Sequence, residues 1–424
     1  MSNNKLTEKV IAVGVVLPDR SRHVAEEHLE ELGKLVESAG GAIVASMLVK
    51  RDKPDPATWI GSGKAEQIKT LAAAERATLI VFDDDLSPAQ TRNLERITDV
   101  KVIDRSALIL DIFAGRARSR EARTQVELAQ LEYMLPRLTR QWSHLERQAG
   151  GIGTRGVGET QLEIDRRIVR NRIGQLKGEL EKIERTRETQ RKSRASVFTI
   201  ALVGYTNAGK STLFNRLTGG SALAEDKLFA TLDAKTQRAA FPAPRPTVVI
   251  DTVGFVRKLP HHLVASFRST MEEAVAADLV LHVIDGSHPQ ADEQRVVGEE
   301  VLRSLGIPQE RVIDVYNKED VCGPIFDGHD RLKPVLTLSA LTGRGIEELI
   351  ETIRERELAG GEVLELQIPH GHSRELAKLH ELAVVYDQRV DDGATRVTAW
   401  VPKSSAVLFE KFSIANLLER AKVS

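Results

Sequence analysis

A single cysteine, Cys322, stands in 424 residues. That excludes a disulfide framework and a cysteine-built zinc site, and it suits a reducing compartment. Long apolar runs are missing too: none approaches the roughly 20 residues that a membrane helix needs. Met1-Ser-Asn-Asn-Lys5 lacks the apolar core of a signal peptide. The expectation is a soluble, cytoplasmic, monomeric protein, with peripheral membrane attachment left open. Net charge is −1, so whole-chain charge predicts no partner, while a hydrophobic fraction of 41% is enough for real cores. This length predicts roughly two to four domains.

The even balance hides an asymmetry. Arg116 to Arg194 holds 19 Lys and Arg against 11 Asp and Glu, a surplus of eight positive charges that leaves the rest of the chain at −9. Such a split points to an anionic partner for the basic segment.

Residues 1–115 alternate strand and helix patterns. Val10–Leu17, Ala42–Val49, Thr78–Phe82 and Val100–Ile103 read as strands. Helices are expected over 24–38, 64–75 and 88–97, the last with Ser87 as N-cap and Pro88 at its first position. This order predicts a small parallel sheet with helices on its faces. Ile60-Gly-Ser-Gly-Lys64 resembles half a phosphate loop, and a helix-entry turn is the plainer reading. Asp83-Asp84-Asp85 follows a strand end, where open α/β sheets bind ligands. Magnesium binding and a solvated loop are both open there.

In residues 116–196, Leu128, Leu131, Leu135, Leu138, Trp142 and Leu145 follow a heptad seam, and Val169, Ile173, Leu176, Leu180 and Ile183 repeat it. Two helices of roughly 25 residues joined by one loop read as an antiparallel coiled hairpin, each about 40 Å long. Pro136 should kink or break the first. The joining stretch, Gln148 to Gly158, contains five glycines, among them Gly150 and Gly151. Arg137, Arg140, Arg147 and Arg155 surround it. A flexible linker with solvated helix faces is one reading. A basic arm whose tip (Arg147, Gly150, Gly151, Arg155) touches RNA backbone is the other, because RNA is read largely by shape and single-stranded elements. No pair of stacking aromatics marks a standard RNA-recognition module.

Residues 197–358 carry the chemistry. The apolar run Val197–Val203 leads into Gly204-Tyr-Thr-Asn-Ala-Gly-Lys-Ser211, which opens a helix at Thr212. Strand, G-x-x-x-x-G-K-S, helix is the phosphate-cradling loop: backbone N–H groups and the helix N-terminus face an anion. Lys210 is expected to reach the β- and γ-phosphates, and the Ser211 hydroxyl to hold Mg²⁺. In Phe229-Ala-Thr-Leu-Asp233, Thr231 sits where a switch threonine closes on Mg²⁺ and the γ-phosphate. The strand Thr247–Asp251 ends in Asp251-Thr-Val-Gly254; Asp251 is expected to touch Mg²⁺ through water, and the Gly254 N–H to sense the γ-phosphate.

Arg311–Tyr316 leads into Asn317-Lys-Glu-Asp320, whose aspartate accepts from guanine N1 and the exocyclic amine. Adenine leaves that carboxylate unpaired, which is the basis for rejecting ATP. Lys318 packs its stem on the base, and Ser339-Ala340-Leu341 can offer the Ala340 N–H to guanine O6. Four such motifs in order, each at a strand end, predict a GTP- and Mg²⁺-binding domain. Lys210, Asn207 and Thr231 are the candidate catalytic residues. Where Ras-like enzymes use Gln to orient water, this chain has Phe255. Asn207 is therefore a candidate ligand for a potassium ion near the β/γ bridge; its other reading is a side chain that stiffens the loop.

After an expected linker at Ala359-Gly-Gly361, residues 359–424 read as a small α+β module: a strand over 363–368, a helix over 373–382, then strands at 383–386 and 396–401. His370-Gly-His372 has no evident third metal ligand, so a plain loop is expected.

Together these stretches resemble the HflX family of translation-associated GTPases. The resemblance rests on Asp104–Ala114, Gly150–Thr160, Leu162–Arg167, the GTPase loops and Gly254–Leu263, and weakens in the tail. Ala234 departs from the proline usual after the switch Thr-Leu-Asp. The resemblance implies binding to the large ribosomal subunit, an N-terminal arm near the peptidyl transferase centre, and splitting or rescue of stalled ribosomes, often under heat stress. Phe255 matches the family's hydrophobic replacement, which implies hydrolysis stimulated by the ribosome. ATPase activity in some members would make Lys64 and Asp83–Asp85 the candidates here. The expected fold is an α/β P-loop GTPase domain with a parallel sheet (197–358). A small α/β domain (1–115) and a helical coiled hairpin (116–196) precede it, and a small α+β domain (359–424) follows. Two alternatives stay open: a GTPase regulator of RNA maturation whose arm dimerises, and a regulator that uses the hairpin as a protein-interaction rod.

Overall fold

The computed structural model describes residues 7–18, 21–138, 161–192, 197–220, 229, 234–243, 245–255, 271–323, 336–391 and 393–414. They fall into two compact units. The first is built on residues 1–184 with 225–233 and 256–269, and the second on 185–224, 234–255 and 270–424.

In the first unit, β1 (Lys9–Val16), α1 (Arg22–Ser38), β2 (Ala42–Lys50), α2 (Ser62–Glu75), β3 (Leu79–Phe82), α3 (Pro88–Thr98) and β4 (Lys101–Asp104) alternate as expected. The strands form one parallel sheet in the order β2-β1-β3-β4. Ile11, Val13, Ile68, Ile80, Phe82 and Leu94 fill its core. At roughly 1.5–3 kcal/mol for each fully buried large aliphatic side chain, that packing holds the layers together. Local chemistry sets the helix starts. Ser21 accepts from the Val24 N–H and so begins α1 at Arg22, two residues before the expected start. Ser87 and Gln90 form a reciprocal capping box around Pro88.

The sequence left Asp83–Asp85 between a magnesium site and a solvated loop, and the structure supports neither. Asp83 and Asp84 are buried. Asp83 Oδ1 accepts from Arg105 at 2.8 Å, Arg105 also pairs with Glu31, and Ser106 donates to Asp85. Among the described residues no cluster of His, Cys, Asp and Glu could hold a metal ion. Lys64 lies exposed on α2 and donates to Gln67 at 2.9 Å, so Ile60–Lys64 is a helix-entry turn.

Next come α4 (Arg105–Arg116), α5 (Arg120–Met134) and the 32-residue α6 (Gln161–Lys192). Pro136 ends α5, leaving a 3₁₀ turn over Leu135–Arg137. The first helix is therefore 15 residues rather than the expected 25. Arg172 forks onto Glu127 at 2.7 and 2.9 Å, Lys177 pairs with Glu132, and Arg120 reaches Glu179. From Arg120–Glu179 through Glu127–Arg172 to Leu138, whose carbonyl accepts from Arg166 at 2.9 Å, the numbers rise along α5 and its 3₁₀ turn and fall along α6, so the pair is antiparallel. The expected tip, with Arg147, Gly150, Gly151 and Arg155, lies outside the described residues, as do Trp142 and Leu145.

The second unit holds β5 (Phe198–Gly204), α7 (Lys210–Thr218), β6 (Lys235–Arg238), β7 (Thr247–Asp251), β8 (Leu279–Asp285), α8 (Ala291–Ser304), β9 (Val312–Asn317), β10 (Leu336–Thr337) and α9 (Ile346–Ala359). Its six-stranded sheet has the order β10-β9-β8-β5-β7-β6, parallel except for β6. The order reverses on the two sides of β5, so the carboxyl end of β5 is the topological switch point where such sheets bind ligands. No linker follows α9: β11 (Gly361–Pro369) begins after one residue. With α10 (Ser373–Leu382), β12 (Val384–Asp391) and β13 (Ala394–Pro402) it makes an antiparallel sheet, β11-β13-β12. The Arg245 guanidinium joins this module to the larger sheet, lying 4.8 Å from the Phe198 ring and 4.1 Å from that of Trp400. The Arg245 N–H donates to fully buried Glu357 at 3.0 Å. His370–His372 form a 3₁₀ turn in which His372 lies beside Glu375 and Phe412.

One packing contact yields opposite signs for two similar substitutions. A methyl at Gly298 of α8 would lie 2.2 Å from His282 Nε2, on a buried ring whose Nδ1 is 2.8 Å from Asp314. Helix propensity alone favours alanine there by about 1 kcal/mol. Overpacking costs about 1–3 kcal/mol, so it wins. Net of the propensity gain, Gly298→Ala should lower stability by up to about 2 kcal/mol. Gly174→Ala in α6, with nothing within 4 Å, should raise it by about 0.5–1 kcal/mol. Urea melts of both variants check the two signs.

Candidate functional site

The loops singled out in the sequence converge at the carboxyl ends of β5, β7, β9 and β10. Between β5 and α7, Gly209 has φ +91° and Asn207 φ +63°, the left-handed turns that bring N–H groups inward. Gly209 cannot be replaced without strain, since a Cβ there would lie 2.1 Å from Asn317 Nδ2. Lys210 is buried and donates to the carbonyls of Gly204 at 3.0 Å and Tyr205 at 2.6 Å. Burial pushes its ammonium down to about 8, against an opposing pull from Asp251. Asn207 is exposed, and its side chain has no hydrogen-bond partner among the described residues.

Ser211 Oγ donates to Asp251 Oδ2 at 2.8 Å. A hydroxyl and a carboxylate at one point beside a phosphate loop are hard oxygen donors of the kind Mg²⁺ prefers, so the donor set fits that ion. Thr252 and Val253 are buried, and the Thr252 hydroxyl donates to Leu202 O at 2.6 Å, which fastens this segment to β5. Gly254 lies against the phosphate loop. Phe255 bridges to it through backbone: its N–H donates to Gly204 O at 2.9 Å, and its carbonyl accepts from Thr206 at 2.8 Å. The Phe255 ring is buried edge-on to Tyr205, 6.5 Å between centroids. An apolar ring packed there has no means of orienting water.

At the other end, Asn317 Nδ2 donates to Ala208 O at 2.8 Å, and Asn317 Oδ1 accepts from the Ala340 N–H at 2.9 Å. The Ala340 N–H, the expected donor to guanine O6, meets Asn317 in this structure. Ser339 donates to Asp320 Oδ1 at 2.6 Å and aims that carboxylate. Lys318 has φ +69° and pairs with Asp285 at 2.6 Å. Glu319 is buried and lies 3.5 Å from Arg344, while Leu341 is exposed.

Asp285 was missed in the sequence, although a charged residue closing the apolar run of β8 at the ligand-binding end of a parallel sheet is a usable signal. Phe229, grouped in the sequence with the nucleotide contacts, is buried in the first unit against Phe113, with centroids 4.5 Å apart and planes at 74°. Ala230, Thr231, Leu232 and Asp233 lie outside the described residues.

Two measurements test this geometry. Phosphates draw the Lys210 pKa back up, so nucleotide binding takes up a proton above the free value. GDP affinity should be flat below pH about 8 and fall above it, by at most about tenfold per pH unit. Lys210→Arg, which does not titrate there, should remove this lysine-dependent fall. Gly209→Ala, strained at φ +91° and driven into Asn317, should weaken GDP binding by about tenfold or more, read by calorimetry.

Family models agree with the site. A model described as 50S ribosome-binding GTPase matches residues 199–318, GTP-binding GTPase N-terminal matches 26–114, and GTP-binding GTPase Middle Region matches 116–194. The chain is similar to GTPase HflX of Lacrimispora saccharolytica, with 49% identity over 82% of this chain and 83% of the relative. It is also similar to GTPase HflX of Escherichia coli, at 45% over 89% and 90%, and of Caldanaerobacter subterraneus, at 43% over 93% and 91%. Identity at this level along nearly the whole length, with the loop geometry above, means that the chain belongs to the HflX family and is a GTPase.

Proposed function

We propose that this GTPase binds the large ribosomal subunit and splits or rescues stalled ribosomes under stress, with GTP timing the engagement of a basic arm. The observation that carries this reading is the antiparallel α5–α6 pair, which belongs to a segment with eight surplus positive charges. A dense polyanion such as ribosomal RNA is the natural partner for that surplus. The match to a 50S ribosome-binding family model supports it. In this reading the chain works as four parts, 1–115, 116–196, 197–358 and 359–424, with Arg147, Gly150, Gly151 and Arg155 as the RNA-contacting tip.

Within the GTPase part, Lys210 holds the β- and γ-phosphates, the Gly254 N–H reads the γ-phosphate, and Asp320 with Lys318 selects guanine. Ser211 and Thr231 would hold Mg²⁺, with Asp251 behind them; the ion supplies charge neutralisation at the phosphates. Phe255 cannot position water; Asn207 would help to hold a potassium ion near the β/γ bridge, which would supply charge there. A regulator of RNA maturation, or one acting on a protein partner through the hairpin, is the second reading.

Co-sedimentation with purified large subunits tests the proposal. A non-hydrolysable GTP analogue should move the protein into the ribosomal pellet relative to GDP, and equal partition would sink the reading. Deleting 149–158 should abolish subunit splitting while GTP affinity stays within about twofold of the parent, a difference under about 0.5 kcal/mol.

A further inference from the structure

The loop that follows β10 is held from outside by a side chain of the phosphate-loop helix. Arg216 lies on α7, six residues beyond Lys210. Its Nε donates to Ala340 O at 3.2 Å, and its Nη2 donates to Leu341 O. Most backbone donors of the loop find partners nearby. Gly343 N–H donates to Ser339 O at 2.8 Å, Thr342 N–H to Ser339 Oγ at 3.1 Å, and Ser339 N–H to Arg344 O at 3.0 Å. The Ala340 N–H is taken by Asn317. Between Ser339 and Arg344 the Leu341 N–H is the one backbone donor with no partner among the described residues.

A trans peptide sets its C=O and N–H on opposite sides. With the Ala340 carbonyl turned to Arg216, the Leu341 N–H of the same peptide unit faces away from α7. A guanidinium on the carbonyl also polarises that unit and strengthens its N–H as a donor. We propose that Arg216 is a positioning residue for guanine recognition: it aims the Leu341 N–H at the 6-oxo group of the base. This rests on the reading of Asn317–Asp320 and Ser339–Leu341 as the base site. The two halves of recognition are then separable. Asp320 reads N1–H and the 2-amine, while the Arg216-held peptide reads the 6-position. The 6-amine of adenine would set donor against donor there, so the peptide adds to the rejection of ATP independently of Asp320.

Dissociation constants of full-length protein for GDP, IDP and 2-aminopurine riboside diphosphate test this, because only the last lacks the 6-oxo group. In Arg216→Ala, GDP and IDP should weaken together by about tenfold, the scale of one solvent-exposed charge-assisted hydrogen bond. The 2-aminopurine nucleotide should bind as before, so the preference for GDP over it shrinks by the same factor. Arg216→Lys should recover part of the loss, and it carries the same comparison if the alanine variant does not fold. An equal weakening of all three nucleotides, or no weakening of GDP, overturns the inference. Asp320→Asn separates the two failures. A switch of its preference from GDP to XDP upholds the base-site reading, so that a failed Arg216 result removes the Arg216 role alone. No switch removes both.

Discussion

The Asn317 side chain ties the two ends of the nucleotide site together. Its amide nitrogen donates to the phosphate loop at Ala208 O, and its oxygen accepts from Ala340 in the loop after β10. It is buried, so each bond is made without competing water and each would be expensive to leave unmade. Everything else in the site is arranged around that brace. Gly209 is glycine because the amide occupies the space a methyl would need. Lys318 takes a left-handed backbone immediately after it and finds Asp285. Ser339 turns Asp320 from the opposite side.

Charge is handled differently away from this site. Arg105 is buried between Asp83 and Glu31, with its guanidinium pKa held up by those carboxylates. Arg245 is buried against Glu357 and two aromatic rings; burial pulls the arginine down and pushes the glutamate up. Removing one partner of such a pair strands the other, at a cost of about 3–5 kcal/mol, so both clusters act as fasteners. The first closes the carboxyl end of the N-terminal sheet. The second seats the C-terminal module at the amino ends of β5 and β7 in the GTPase sheet. Neither resembles the open, water-facing arrangement of the GTPase loops, where Asn207 and Leu341 stay exposed.

Much of the fold was legible because it follows from local rules. Period-two and period-3.6 patterns marked the strands and helices of both sheets. Ser87-Pro88 announced α3, and Pro136 announced the end of α5. The phosphate loop, Asp251–Gly254 and Asn317–Asp320 were legible because each chemistry needs fixed residues at fixed spacing. The errors share a cause. Asp83–Asp85 suggested a metal or a solvated loop because their cationic partner, Arg105, is 22 residues away and invisible to spacing. Ala359–Gly361 suggested a linker, but Gly361 is a strand residue pressed against Trp400.

By itself, then, the sequence determined the ligand class, the order of the elements and the basic character of the arm, since these depend on residue type and short-range spacing. Tertiary structure decided which donors are committed. Only packing turned the Ala340 N–H to Asn317, set Phe255 edge-on to Tyr205, sent Phe229 to Phe113 and brought Arg216 across more than 100 residues to the loop beyond β10. The physical reason is that hydrogen bonds and ring contacts act over a few ångströms in space, whatever the separation along the chain, so no local pattern records them. The role of the phosphate loop was legible in the sequence; how its helix helps to read the base was not.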